Sequence, residues 1–502
     1  MNETVHIKLL PIGKVLSVPR ATPLQDVLFA QGVEFPCGGK GRCKGCRVKV
    51  LSGSLPVGPE DERLLSKSEL ADNWRLACRA KADSDITIEL AQWEATVLLD
   101  NSQFDFAPRD GLGIAIDLGT TTIAAQLLDL SSGQVLAIRT ALNAQARHGA
   151  DIMSRIEFAL HAGGAAVLEK LIRAQLGQMV GELIDEARVN TVRLGRVVIV
   201  GNTVMHHLFC AISVAPLSRY PFEAERDGLE TFSASKLGWN IGEGTSVQFL
   251  PCLGSFVGSD MLAGVVATQM HKHAAPSALI DLGTNGEIVV GNCERILCAS
   301  TAAGPAFEGA RISCGMRAAT GAISEVHAFE QEFQCHVLGN ISARGICGSG
   351  LVDAAATGLD LDLIQSSGRL TQGDLALTPQ LSLKQSDIRE LQLAKGAIAA
   401  GLRILAQQWG VALNDLSTIY LAGAFGNYIN RASARRIGLL NFPPEKVFPA
   451  GNTALLGAKL ALFNLQEPND TFTELRRKIS HVSLSEDPAF QDMFVDEMRF
   501  PD

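Results

Sequence analysis

The sequence predicts a multidomain α/β protein: a small β-rich domain first, then a larger body made of two similar halves. Three observations support this. The chain has 502 residues, 47% of them hydrophobic and 19% charged, which allows several packed cores and excludes a disordered chain. Cysteines gather near the N-terminus at ligand spacing. An apolar strand ending in Asp-Leu-Gly-Thr occurs twice, as Asp117-Leu118-Gly119-Thr120 and Asp281-Leu282-Gly283-Thr284.

Residues 1–94 carry the β-rich signals. VHIKLL and KVLSVP flank Pro11-Ile12-Gly13 as a hairpin, ATPLQDVLFAQG places Leu24, Val27 and Leu28 at helical spacing, and DITIEL alternates as a strand. Between them Cys37, Cys43 and Cys46 form C-x5-C-x2-C in a glycine-rich loop, and Cys78 follows downstream. Glycine lets backbone amides turn toward sulfur, so one loop can wrap a cluster that a fourth, distant thiolate closes. Zinc is the competing metal, but its sites commonly pair two C-x2-C knuckles and only one is present. Four unrelated buried thiols would not share this spacing, so the expected group is a 2Fe-2S cluster on Cys37, Cys43, Cys46 and Cys78. The other seven of the eleven cysteines show no ligand spacing and read as core residues, Cys347 at a helix start among them.

Residues 95–110 read as a short connector, 111–275 as the first half of the body and 276–502 as the second. In the first half, strands surround the DLGTTT turn and Ser131-Ser132-Gly133 closes a hairpin. The runs GADIMSRIEFALH and AVLEKLIRAQLGQMVGELIDEA are helical, and RVVIV leads into Gly201-Asn202-Thr203 with an N-cap available. His206 and His207 on that helix read as packing residues, since no carboxylate or cysteine stands at ligand spacing. In the second half, Gly304-Pro305 opens another helix, and Gly345-Ile346-Cys347-Gly348 precedes one. A long helix follows residue 386, Ile419–Asn427 is a strand running into a glycine-rich loop, and TALLGAKLALF closes the chain's core.

The chemistry follows from the repeat. After each strand a glycine admits a phosphate, and the next hydroxyls and amides can bind its oxygens: Gly119, Thr120, Thr121 and Thr122 in one copy, Gly283, Thr284 and Asn285 in the other. Asp117 and Asp281 cannot touch a phosphate without repulsion, so their role is to hold Mg2+-bound water or to orient the attacking water. A lone DxGT is an ordinary turn; two copies in the same context point to a nucleotide clamp.

These two turns, with the late loop carrying Gly423, Ala424 and Gly426, resemble the phosphate and adenosine loops of the actin, sugar-kinase and heat-shock chaperone ATPases. That resemblance implies a duplicated actin-like (ribonuclease-H-type) ATPase binding ATP and Mg2+, with Gly304 near the nucleotide. The cysteine segment resembles a β-grasp ferredoxin domain, its five-residue first gap closest to the adrenodoxin-like branch. As a whole the chain resembles the reductive activators of corrinoid proteins, in IDLGTTT, NAQARHGADIMSRI, GNTVMHH, IDLGTNGE, AAGPAFEGARI, GICGSGLVDA, LAGAFGNYI and ISHVSLSEDPAFQDMFVDEM. This implies ATP-dependent electron transfer from the cluster to a Co(II) corrinoid protein or cobalamin-dependent methyltransferase, regenerating Co(I), with a low-potential donor of unknown identity refilling the cluster. The stretch 95–110 is one departure: that family has a longer linker and middle region there.

An electron carrier joined to an ATPase makes sense when the acceptor lies below the carrier's potential. Plant-type clusters sit near roughly −400 mV, and each ~59 mV uphill costs tenfold for one electron. ATP can drive that step. Two alternatives stand beside it: an ATP-gated electron injector for another enzyme, and a redox-regulated kinase or switch. The kinase needs a catalytic Asp that the sequence does not single out. A net charge of −9 opposes nucleic-acid binding. Neither a secretory leader nor an apolar span of membrane length is evident, so a cytoplasmic protein is expected.

Overall fold

The structure, a computed structural model, describes residues 3–33, 35, 38–90, 104–242, 244–283, 285–464 and 471–502. Cys37, Thr284 and residues 95–103 of the expected connector lie outside the described residues, as does the side chain of Ala424. The described residues form two compact units, one from Met1–Thr96 and Pro305–Leu391, the other from Val97–Gly304 and Gln392–Asp502.

In the first unit a five-stranded sheet runs in the order Lys14–Pro19, Thr4–Leu10, Ile86–Leu90, Arg47–Ser52, Trp74–Leu76. Val5, Ile7 and Leu9 alternate inward, as a sheet with one covered face requires. The helix Leu24–Phe29 buries Leu24, Val27, Leu28 and Phe29. A mixed sheet with a helix across it is the β-grasp arrangement expected for the cysteine domain. Cys78 stands in the 3-10 turn Ala77–Arg79, just after the strand Trp74–Leu76. Residues 305–391 add the hairpin Ala322–Phe329 with Glu332–Val337 and the helix Gly348–Asp360. Arg344 ties this segment to the cysteine domain: its guanidinium pairs with Glu89 and donates to Leu90 O at 3.1 Å, while its carbonyl accepts from Arg47 Nη2 at 2.7 Å. Gly304-Pro305 opens only the short 3-10 turn Pro305–Glu308, not a longer helix.

The second unit holds two six-stranded sheets. In the first the order is Val135–Leu142, Thr122–Asp129, Leu112–Leu118, Leu194–Val200, Ser246–Phe249, Glu230–Ser233. In the second, read from the Ile479–His481 edge, Ile296–Thr301, Gly286–Gly291, Ser277–Leu282, Ile419–Ala422 and Val447–Gly451 follow in the same relative order as the first five. In each sheet the strand that ends in Asp, Leu112–Leu118 or Ser277–Leu282, pairs antiparallel with the strand after its turn and parallel with a strand from much later in the chain. This is the duplicated ribonuclease-H-type pattern. The central strands read as unbroken apolar runs because both faces are covered.

Two helices occupy equivalent places, Ser259–Ala267 and Thr453–Asn464, and pack on each other. Their starts also match: Gly258-Ser259-Asp260-Met261-Leu262-Ala263-Gly264 against Gly451-Asn452-Thr453-Ala454-Leu455-Leu456-Gly457. The glycines at the crossing explain the close approach. A Cβ on Gly457 would lie 2.3 Å from Ala263 O, and one on Gly264 would lie 3.1 Å from Thr453 Oγ1. A single buried cluster, with Val198, Met261, Leu262, Leu279, Val289, Leu455 and Leu462, runs through both halves of this unit.

Candidate functional site

Each sheet delivers its aspartate to the same kind of place. Asp117 is in register with Val200 and Asp281 with Ala422, so the glycines that follow, Gly201 and Gly423, cross the strand ends. Gly423 has φ +78°, and a Cβ there would stand 2.7 Å from Asp281 Oδ1. The loop expected to hold adenosine therefore lies directly against the second aspartate, continuing as the short helix Gly423–Tyr428. Asn452 reaches the first aspartate from the other half: its Nδ2 donates to Asp117 Oδ2 at 3.0 Å, and its Oδ1 accepts from Leu455 N at 2.8 Å.

Four carboxylates feel one another here. Desolvation raises Asp117 to about 6 against the hydrogen bond from Asn452. It raises Asp281 to about 7, with the charge of Asp117 adding to the effect. Asp260, in the first turn of its helix, is raised to about 7 by desolvation and by Asp281 and Asp117. Glu287 is raised by burial, then by Asp260 and Asp281. Asp281 and Glu287 are direct partners in an antiparallel pair, so their side chains share one face of the sheet. Among the described residues no three of these groups close on a single ion.

The first turn is braced from within. Asn143 donates through Nδ2 to Gly119 O at 2.9 Å and through its backbone N–H to Thr121 O at 2.8 Å. Asn202 Nδ2 donates to Thr120 Oγ1 at 2.8 Å while its Oδ1 caps Met205 N at 3.0 Å. Arg155, fully buried, donates to Thr120 O. The N–H groups of Thr120 and Thr121 find no acceptor among the described residues.

The cysteine loop fits a cluster in the residues that are described. Gly38, Gly39 and Gly41 have φ of 62°, 75° and 64°, and a Cβ on Gly39 would lie 2.1 Å from Gln25 Oε1. Cys46 is buried, and its thiol is pushed well up by a hydrogen bond with Cys78, by burial, and by the charges of Cys78 and Cys43. The three thiols therefore crowd one another, an arrangement that metal binding relieves.

His206 and His207 are buried packing residues; burial lowers both, His206 to about 4. Cys347 is 2% exposed, with its thiol on Ile323 O. Gly426 packs on Leu421, and Gly304, with φ +77°, has open space where a Cβ would be; nothing in the described structure ties it to the aspartates. Sequence reasoning missed Asp260, Glu287, Asn452, Asn143 and Arg155. For Asp260 and Asn452 the signal was available as the second repeat, G-S-D-M-L-A-G against G-N-T-A-L-L-G.

Three families match the chain in succession: a 2Fe-2S iron-sulfur cluster binding domain over residues 7–83, the RACo middle region over 112–273, and the C-terminal ASKHA domain of RACo over 275–502. The middle region expected to be missing is thus present, and is the half read as the first ATPase lobe. Corrinoid activation enzyme RamQ of Eubacterium limosum is 30% identical over 97% of this chain and 98% of its own length. The [Co(II) methylated amine-specific corrinoid protein] reductase of Methanosarcina barkeri is 29% identical over 77% of each chain. Among solved structures, a reductive activator for corrinoid,iron-sulfur protein superposes with a TM-score of 0.69 at 26% identity, covering 99% of this chain and 98% of that one.

Proposed function

The chain belongs to the family of RACo-type corrinoid activation enzymes, and from that premise we propose that it is an ATP-dependent reductive activator. It passes one electron from its 2Fe-2S cluster to the Co(II) corrinoid of a corrinoid protein or cobalamin-dependent methyltransferase and so restores Co(I). The observation that supports this most is the meeting of Asp117 and Asp281 at the heads of two equivalent strands, on a chain that also gathers Cys43, Cys46 and Cys78. When bound, the cluster supplies a single low-potential electron, with Cys37 completing its ligands.

The protein's own groups then divide the work. The amides of Thr120 and Thr121, with Gly119 and the Thr122 hydroxyl, take one part of the polyphosphate; Gly283, Thr284 and Asn285 take the other. Gly423, Ala424 and Gly426 face the adenosine, with Gly304 at the edge of the site. Asp117 and Asp281 would hold a Mg2+-bound water or orient the attacking one. Asp260 and Glu287 hold their protons to higher pH than ordinary carboxyls, because desolvation opposes the charge of both, Asp281 and Asp117 add to it at Asp260, and Asp260 and Asp281 add to it at Glu287. Among the described residues no helix is long and apolar enough to cross a membrane, and we place the protein in the cytoplasm with an unidentified low-potential donor.

The test is anaerobic. With a chemical reductant, a Co(II) corrinoid protein and Mg-ATP, the parent should accumulate Co(I), read by visible absorbance, and Cys46→Ser should not. Equal Co(I) formation without nucleotide would overturn the proposal. Phosphate appearing on a small molecule instead of as free phosphate would favour the kinase alternative, for which Asp260 is the candidate base.

A further inference from the structure

Arg155 is completely buried, yet no carboxylate forms an ion pair with it among the described residues. Its Nε donates to Gly149 O at 2.9 Å, its Nη2 to Thr120 O, and its Nη1 reaches Gln145 Oε1 at 3.4 Å and Met205 Sδ at 3.3 Å. Asp151, the acid whose charge it feels, spends Oδ1 on Ser154 N as a helix cap. Buried arginines normally sit on carboxylates, since an uncompensated charge in the interior is costly. Here the interior supplies dipoles and no anion.

The direction of those dipoles matters. Across a planar trans peptide the C=O and the following N–H point opposite ways. Arg155 draws Thr120 O inward, so Thr121 N–H faces outward; Asn143 does the same to Gly119 O and thereby to Thr120 N–H. We infer that Arg155 is a positioning residue for nucleotide binding, its buried charge fixing the first turn's amides toward an anion and finding in a nucleotide phosphate the counter-ion that the fold withholds. This rests on the ATP reading above.

A purely structural arginine would behave differently. Removing a purely structural arginine takes its donors from Gly149 O and Thr120 O and lowers stability alone, whereas a charged hydrogen bond lost at a binding site weakens affinity roughly tenfold or more. The experiment compares the full-length parent, Arg155→Met and Arg155→Lys, each with its cluster intact. Titration with Mg-ATP gives affinity, steady-state hydrolysis separates KM from kcat, and thermal unfolding without nucleotide gives stability. Arg155→Met should bind about tenfold more weakly, with KM raised and kcat within about threefold, and Arg155→Lys should recover part of the affinity. Parental affinity in Arg155→Met overturns the inference, as does a joint fall of affinity and nucleotide-free stability that Arg155→Lys does not lessen. Should the Met variant not fold, Arg155→Lys decides, parental affinity counting against. A parent that takes up no Mg-ATP removes the ATP reading and this inference with it; a parent that binds while Arg155→Met binds equally well overturns this inference alone.

Discussion

The two phosphate turns share a strand, a glycine and a register, yet their surroundings carry opposite charge. Opposite Asp117 in the antiparallel pair stands Ala124; opposite Asp281 stands Glu287. Beneath the first turn lies Arg155, with Asn143 and Asn202 holding its carbonyls and hydroxyl. The second turn has Glu287 across the strand and Gly423 pressed on its aspartate, and Asp260 raises Glu287 while itself being raised by Asp281. Duplication thus supplies one backbone device twice, with a buried arginine beside the first copy and buried carboxylates beside the second.

The sharpest way to break this comparison is to exchange the loads. Asp281→Ala should lower ATP hydrolysis by about 10²- to 10⁴-fold, the usual worth of a group that positions or takes a proton, with nucleotide affinity largely kept. Asn202→Ala, at the first turn, should act the other way and raise KM for ATP about tenfold, with kcat little changed. Steady-state kinetics on both variants separates the roles, and identical defects in KM and kcat would show that the turns are not specialised.

Smaller effects sharpen the picture. Gly423→Ala forces a left-handed backbone onto a residue with a Cβ and crowds Asp281; it should cost about 1–2 kcal/mol of stability, seen as a lowered thermal midpoint, and should reduce hydrolysis as well. Smallest is the pH response. Asp117 and Asp281 titrate near 6 and 7 when folded and near 3.9 when unfolded. Their contribution is therefore complete below about pH 4 and lost as pH rises through 6 to 7. Urea midpoints of the nucleotide-free protein should fall between pH 5 and pH 8, less steeply in Asp281→Asn and less steeply with Mg-ATP bound. A midpoint that rises over that range would contradict the desolvation assigned to these groups.

What was legible in the sequence is whatever is written in contiguous residues. The two Asp-Leu-Gly-Thr strands, the hairpin at Ser131-Ser132-Gly133 and the cysteine spacing are local patterns, and the fold class followed from them. Asn452 reaches Asp117 across 335 positions of chain, and Arg155 meets Thr120 only because a helix packs under the turn, so neither has a local signature. Glu287 stood in the quoted motif, but its partnership with Asp281 needs the hairpin register. Even the equivalence of Gly201-Asn202 with Gly423-Ala424 becomes visible only when both are seen to follow strands parallel to the central one.

The measurement that bears most directly on the account is cobalt reduction with the cluster already reduced. With excess chemical reductant and a Co(II) corrinoid protein under anaerobic conditions, the parent should form Co(I) when Mg-ATP is added. Asp281→Ala should keep the visible spectrum of its cluster, remain reducible, and stall before Co(I). If Asp281→Ala instead produces Co(I) as fast and as fully as the parent, the second turn is not what couples ATP to the uphill electron.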